Sequence, residues 1–222
     1  MDKFWRMCCT ASEVEDRLQN NHPYLTEYEI AGKGCDLAVT FEGISADECD
    51  MLYDTFSDVI YGDDERNLAA TLVSELAERG LKLATAESLT GGMVASSIVD
   101  VAGCSEVFYG GVVAYSEHAK MDKLGVCEDT LLYCTAVSGD TAVEMATGLL
   151  DENVDIGIST TGIAGPGGGT LDKPVGLVYI AVTDAEHTNV YEHRFSGSRQ
   201  EIRRQAKDCA LFYALKHLQL YY

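Results

Sequence analysis

Three stretches of the chain gather side chains able to do chemistry. The first is Ala86-Glu87-Ser88-Leu89-Thr90-Gly91-Gly92, where an apolar segment gives way to a helical one. Backbone N–H groups at such a junction suit an oxyanion or a phosphate, and glycine lets a ligand approach the backbone closely. A helix cap with glycines for tight packing would use the same residues. The second is Gly110-Gly-Val-Val-Ala-Tyr115-Ser116-Glu-His-Ala-Lys120. A strand delivers Tyr115 and Ser116, and Lys120 follows one helical turn later. A lysine buried near a hydroxyl loses its proton more easily and can then act as a base, although the commoner fate of a helical lysine is the surface. The third, 159–174, holds five glycines within eight residues, Gly162 to Gly169. It lacks the Gly-Lys-Ser/Thr of a phosphate-cradling Walker loop and does not match GxGxxG leading into a helix. A flexible crossover would have similar composition, but so much glycine after a buried strand points to backbone approach to a ligand.

Positioning these stretches takes alternating strands and helices. The pattern predicts a helix over 68–77 closed by Arg79-Gly80, a strand over 81–86, a helix to about 101 and a strand over 107–115. Helices over 117–124 and 141–150 follow, the latter capped by Ser138, then a buried strand over 155–161. Residues 176–183 and 189–195 read as a hairpin, and the capping box Ser198-Arg-Gln-Glu201 opens a last helix. That order predicts a three-layer α/β/α domain with a mixed sheet over 67–222. Residues 1–66 read as a small α+β module with a helix over 11–20 and strands over 25–30 and 37–41, joined by Ala-Gly-Lys-Gly. A helix capped by Ser45 and Glu48 follows, with Cys49, Leu52, Phe56 and Ile60 as its apolar stripe.

The 222 residues carry 36 acidic and 16 basic side chains, a net charge of −20. So negative a surface repels phosphate backbones, which argues against nucleic-acid binding. The exception is 194–216, where six basic residues face only Glu201 and Asp208, enough to hold one small anion. No apolar run approaches the roughly 18 residues of a membrane span, and the charged N-terminus lacks a signal-peptide core, so a cytoplasmic location away from membranes is expected. The eight cysteines form no CxxC pair and are expected as thiols. The five histidines are scattered, so neither a metal nor a cofactor is expected.

In this order the motifs at 86–92, 110–126, 136–138 and 161–168, followed by Lys173-Pro-Val-Gly176 and Gly197-Ser-Arg199, resemble the C-terminal domain of the competence-damage protein family, CinA. Leu89 stands where that family usually has cysteine, which argues against a cysteine nucleophile there. The resemblance runs from Asn67 to the end; residues 1–66 resemble the small module linking the two halves of longer members. It implies hydrolysis of the carboxamide of nicotinamide mononucleotide to nicotinate mononucleotide and ammonia, a small-molecule nucleotide substrate, and a dimer or higher oligomer.

Within that resemblance Ser88 is assigned as nucleophile, Lys120 as its base and Tyr115 as a proton relay or donor. Amides near Gly91 and Gly92, beside Thr90, would hold the oxyanion. Thr161, Gly162, Gly165 and Gly167 would line the nucleotide site, and Arg199 or Arg203 would hold the phosphate. No metal enters this scheme. Two rivals remain open from sequence: a module that binds a nucleotide without turning it over, and phosphoryl transfer, which lacks the Walker lysine.

Overall fold

In the computed structural model, which describes residues 1–222, the chain divides into two units, Met1–Thr71 and Leu72–Tyr222. The first is a four-stranded antiparallel sheet with two helices. Strands β1 (Lys3–Cys8), β2 (Tyr28–Lys33), β3 (Asp36–Phe41) and β4 (Ile60–Gly62) lie in the order β2-β3-β1-β4. Helices α1 (Ala11–Asn21) and α2 (Ala46–Phe56) both open on capping boxes, Thr10 with Glu13 and Ser45 with Glu48. Alternation along β3 sends Leu37, Val39 and Phe41 into one core with Trp5, Met7, Val14, Leu18, Leu52 and Phe56. Two strands were not legible from periodicity. The central β1 mixes Lys3 and Arg6 among its apolar residues. Ile60, read as the last member of a helical stripe, lies in β4 because α2 ends at Phe56.

The second unit is built on a mixed five-stranded sheet flanked by helices. Its strands are β5 (Leu83–Glu87), β6 (Phe108–Val113), β7 (Ile156–Gly162), β8 (Leu177–Thr183) and β9 (Thr188–Arg194), in the order β6-β5-β7-β8-β9. β6, β5 and β7 are parallel, while β8 and β9 form the expected antiparallel hairpin. Helix α3 (Leu68–Arg79) precedes the sheet, and Gly80 ends it in the left-handed conformation, φ +67°. On one face lie α4 (Met93–Val99) and the 23-residue α8 (Arg199–Tyr221). On the other lie α5 (Glu117–Leu124), α6 (Glu128–Tyr133) and α7 (Gly139–Thr147), packed around Ala86, Ala114, Leu124, Leu131 and Met145. The helix α6 was absent from the sequence expectation.

Two close approaches explain glycines inside strands. A Cβ on Gly157 would run into the Ala146 carbonyl of α7, so glycine lets that helix lie directly on β7. On Gly111 it would lie 2.7 Å from Thr85 Oγ1 and 3.1 Å from the Ala95 methyl, so glycine lets α4 settle against β6.

Parallel β5, β6 and β7 all end on the same edge of the sheet, where open α/β sheets bind ligands. Residues 88–92, 114–120 and 163–170 leave from that edge. The hairpin then sets the start of α8: β8 runs away from this edge and β9 returns to it, with Arg194 opposite Leu177. Arg199 and Arg203 therefore reach the same edge as Ser88.

Candidate active site

Ser88 follows the last residue of β5 and is held by its own N–H, which donates to the Thr160 carbonyl of β7 at 2.9 Å. Ala114 continues the ladder from β6, its N–H donating to the Glu87 carbonyl at 2.9 Å. Ser116 then caps α5 by accepting the Ala119 N–H, which fixes the helix so that Lys120 and Leu124, four residues apart, form its inward stripe. Lys120 is thereby 1% exposed. Its Nζ lies 3.0 Å from Ser88 Oγ and donates to the Ala114 carbonyl at 2.8 Å.

No carboxylate pairs with this ammonium. Burial disfavours its charge and lowers its pKa from 10.5 to about 8, against a small opposing pull from Glu117. A neutral amine has two N–H groups and one lone pair. With one N–H on the Ala114 carbonyl, the lone pair can accept the Ser88 hydroxyl proton. The geometry is that of a nucleophile with its base.

The donors expected at Gly92 are spent. Glu87, 1% exposed, turns its carboxylate under the start of α4, where it accepts N–H bonds from Gly92 (2.8 Å), Val94 (3.1 Å) and Ala95 (2.8 Å). The amides of Leu89, Thr90 and Gly91, in the turn before α4, find no acceptor within the chain. The sequence signal for this role is an acid five residues before the N-cap of a helix, within reach of its first amides. Glu87→Gln keeps the shape but offers one acceptor oxygen and an NH2 that faces donors. It should destabilise the fold by roughly 3 kcal/mol, read as a lower urea midpoint with unchanged m-value.

The remaining expected residues are brought to this edge, but several are occupied differently. The Tyr115 hydroxyl meets Arg199, which donates to it from Nη2 at 3.4 Å; the residue is 64% exposed and makes no hydrogen bond to Lys120 or Ser88. Arg199 also donates from Nη1 to the Gly165 carbonyl at 2.6 Å, tying α8 to the glycine loop. Arg203 holds the carbonyls of Leu89 (2.9 Å) and Thr90 (2.7 Å).

Thr90 pairs its hydroxyl with that of Thr160 at 2.6 Å. Thr161 faces α7 and donates its hydroxyl to the Ala136 carbonyl at 2.5 Å, so it acts as a strut between β7 and the loop before α7. Gly162 serves strand packing, since a Cβ there would lie 2.6 Å from the Leu177 carbonyl oxygen. Gly165, with φ +74°, turns the loop tightly against Val175, and Gly167 borders open space. A cross-brace that sequence did not reveal is Lys173, whose ammonium donates to the carbonyls of Cys134 (2.9 Å) and Val137 (2.8 Å) and to the Thr135 hydroxyl (2.5 Å). It holds the turn in which Thr135 takes a left-handed φ of +71°.

The comparisons with known proteins all cover this unit, and one relative matches nearly the whole chain. The CinA C-terminal domain model matches residues 65–218. A CinA-like protein of Kosmotoga olearia is 40% identical over 220 residues, covering 95% of this chain and 53% of the relative. One of Fusobacterium nucleatum is 47% identical over 169 residues, covering 75% and 41%. The chain thus spans about half the length of these curated relatives, or less. Among solved structures, a competence/damage inducible protein of Agrobacterium tumefaciens is 40% identical with a TM-score of 0.66, covering 68% of this chain and 93% of that one. A CinA superfamily protein of Klebsiella pneumoniae is 34% identical with a TM-score of 0.67, covering 69% and 97%. No helix of the chain is long and apolar enough to cross a membrane. With the matched segment carrying the mixed sheet and the Ser88–Lys120 pair, the chain belongs to the CinA family.

Proposed function

We propose that the chain is an amidohydrolase that converts the carboxamide of nicotinamide mononucleotide to the carboxylate and releases ammonia. The observation that supports the chemistry is the buried Lys120 amine 3.0 Å from Ser88 Oγ with no counter-ion. The choice of substrate rests on the motif resemblance.

In this scheme Ser88 Oγ attacks the carboxamide carbon while its proton passes to Lys120 Nζ, and the carbonyl oxygen becomes an oxyanion held by turn amides 89–91. The tetrahedral centre collapses, Lys120 returns the proton to the amide nitrogen, and ammonia leaves an ester on Ser88. A water then attacks the ester with Lys120 again as base, and the ester C–O bond breaks with the proton going back to Ser88. Carboxylate and free enzyme result. Arg199 is exposed and has N–H groups beyond the two engaged, so it is assigned to the nucleotide phosphate. Tyr115 stands beside it at the mouth, and Gly165–Gly168 form the adjoining wall.

The test is ammonia release from nicotinamide mononucleotide in the presence of EDTA. Turnover is expected. A raised melting temperature with the nucleotide but no ammonia would contradict the reading and favour a binding module.

A further inference from the structure

Arg203 was expected, with Arg199, as a phosphate ligand, yet its fork points elsewhere. From the second turn of α8 its Nε–H and Nη2–H grip two consecutive carbonyls, Leu89 and Thr90, and no carboxylate pairs with it. The peptides Leu89–Thr90 and Thr90–Gly91 are trans, since the chain's cis bond is Gly165–Pro166. In a trans peptide the N–H points opposite to the carbonyl. Drawing both carbonyls toward α8 therefore turns the N–H groups of Thr90 and Gly91 to the other side of the turn that begins at Ser88.

These N–H groups, and that of Leu89, have no acceptor in the chain, although Leu89 and Thr90 are buried. Backbone amides in folded chains are mostly paired, so a run of three without a partner directly after a nucleophile is available to an acceptor that the chain does not supply. The amides of α4 cannot substitute, because Glu87 takes them. A cation on each carbonyl also polarises the peptide and strengthens the N–H as a donor. The approach is close: a Cβ on Gly91, whose φ is +60°, would lie 3.3 Å from Arg203 Nη2.

We propose that Arg203 is a positioning residue: its fork fixes turn 89–91 so that the unpaired amides receive the oxyanion formed at Ser88, and it does not bind the substrate phosphate. This rests on the assignment of Ser88 as the nucleophile of an amidohydrolase. A lysine keeps the charge but lacks the planar, rigid fork that fits two consecutive carbonyls and fixes their orientation, so Arg203→Lys separates the two roles. The substrates are nicotinamide mononucleotide and its nucleoside, which lacks the phosphate. The expected result is a fall in kcat of about 100-fold on both, with KM for the nucleotide nearly unchanged. Retained kcat, with KM raised for the nucleotide alone, would overturn the proposal in favour of a phosphate ligand.

A second readout is independent of the natural substrate. Phosphonylation of Ser88 by a fluorophosphonate, followed by intact mass, builds a comparable oxyanion on the same oxygen. It should slow by about 100-fold in Arg203→Lys, and ethylguanidinium should restore it in Arg203→Ala. An undiminished labelling rate would overturn the proposal. Wild-type labelling that depends on Arg203, without ammonia release, would overturn the substrate assignment and leave the role of Arg203 standing. No labelling of wild-type Ser88 would overturn both. Melting curves of each variant confirm that the compared proteins are folded.

Discussion

Ser88→Ala is expected to lower the rate of ammonia release by at least about 10³-fold while leaving nicotinamide mononucleotide bound. The direction follows from what the oxygen touches. Ser88 Oγ has one side-chain partner, Lys120, and its backbone N–H is held by Thr160. Removing the oxygen deletes the attacking atom and disturbs little else, so the melting temperature should stay within a few degrees and the nucleotide should still raise it. A variant with substantial residual turnover would mean that water attacks the carboxamide directly.

Lys120→Met is expected to lower kcat by about 10²- to 10⁴-fold, the usual worth of a general base. The wild-type rate should rise with pH through a half-maximum near pH 8 and level off above it, where the amine is neutral. The residual rate of the variant should lose that inflection. The same substitution carries a stability signature. The folded lysine gives up its proton at about 8, whereas the unfolded one keeps it to about 10.5. Between those values the unfolded state binds more protons, so wild-type stability increases as pH rises, and below pH 8 the cost of the buried charge is present in full.

That cost is roughly 3 kcal/mol, offset by about 1 kcal/mol for each hydrogen bond that methionine cannot make. Lys120→Met should thus be inactive yet about 1–2 kcal/mol more stable at pH 7, with the difference shrinking toward pH 10 in denaturant titrations. Equal stability at all pH values would show that the ammonium is solvated and not a base. A surface lysine, the common fate of this residue type, would give that result.

How much of this was legible in the sequence varies with the kind of interaction. Capping boxes are local, so Ser45 with Glu48 and Ser198 with Glu201 marked their helices to within a residue. The order of strands and helices foretold a mixed sheet because the hairpin β8–β9 carries its own signals. Lys120 could be singled out because it follows Tyr115 and Ser116 by about one helical turn, although only the fold shows that it faces Ser88.

What sequence missed depends on distant partners. β1 is central to its sheet yet mixes Lys3 and Arg6 into its pattern, and its partners in β3 and β4 lie far along the chain, from Cys8 opposite Asp36 to Arg6 opposite Gly62. The carbonyl partners of Arg203, on which its proposed role rests, lie more than a hundred residues earlier and leave no local signal. Thr161 and Gly162 read as ligand contacts because hydroxyl and glycine chemistry is the same in a strut as in a site. The structure adds what sequence could not give: Thr161 donates to the Ala136 carbonyl, and Gly162 lies against β8 where a Cβ would not fit. Tyr115 precedes Lys120 by five residues, but only the fold shows that its hydroxyl reaches Arg199 while Lys120 turns inward.

The most direct test of a serine hydrolase with lysine as its base is to catch the ester. Enzyme mixed with nicotinamide mononucleotide, quenched in acid within milliseconds to seconds and analysed by intact mass and peptide mapping should carry a nicotinate-mononucleotide acyl group on Ser88. The adduct should be absent from Ser88→Ala and should form more slowly as the pH falls below about 8. Ammonia release that persists in Ser88→Ala, with no acyl group on any residue of the wild type, would contradict the account.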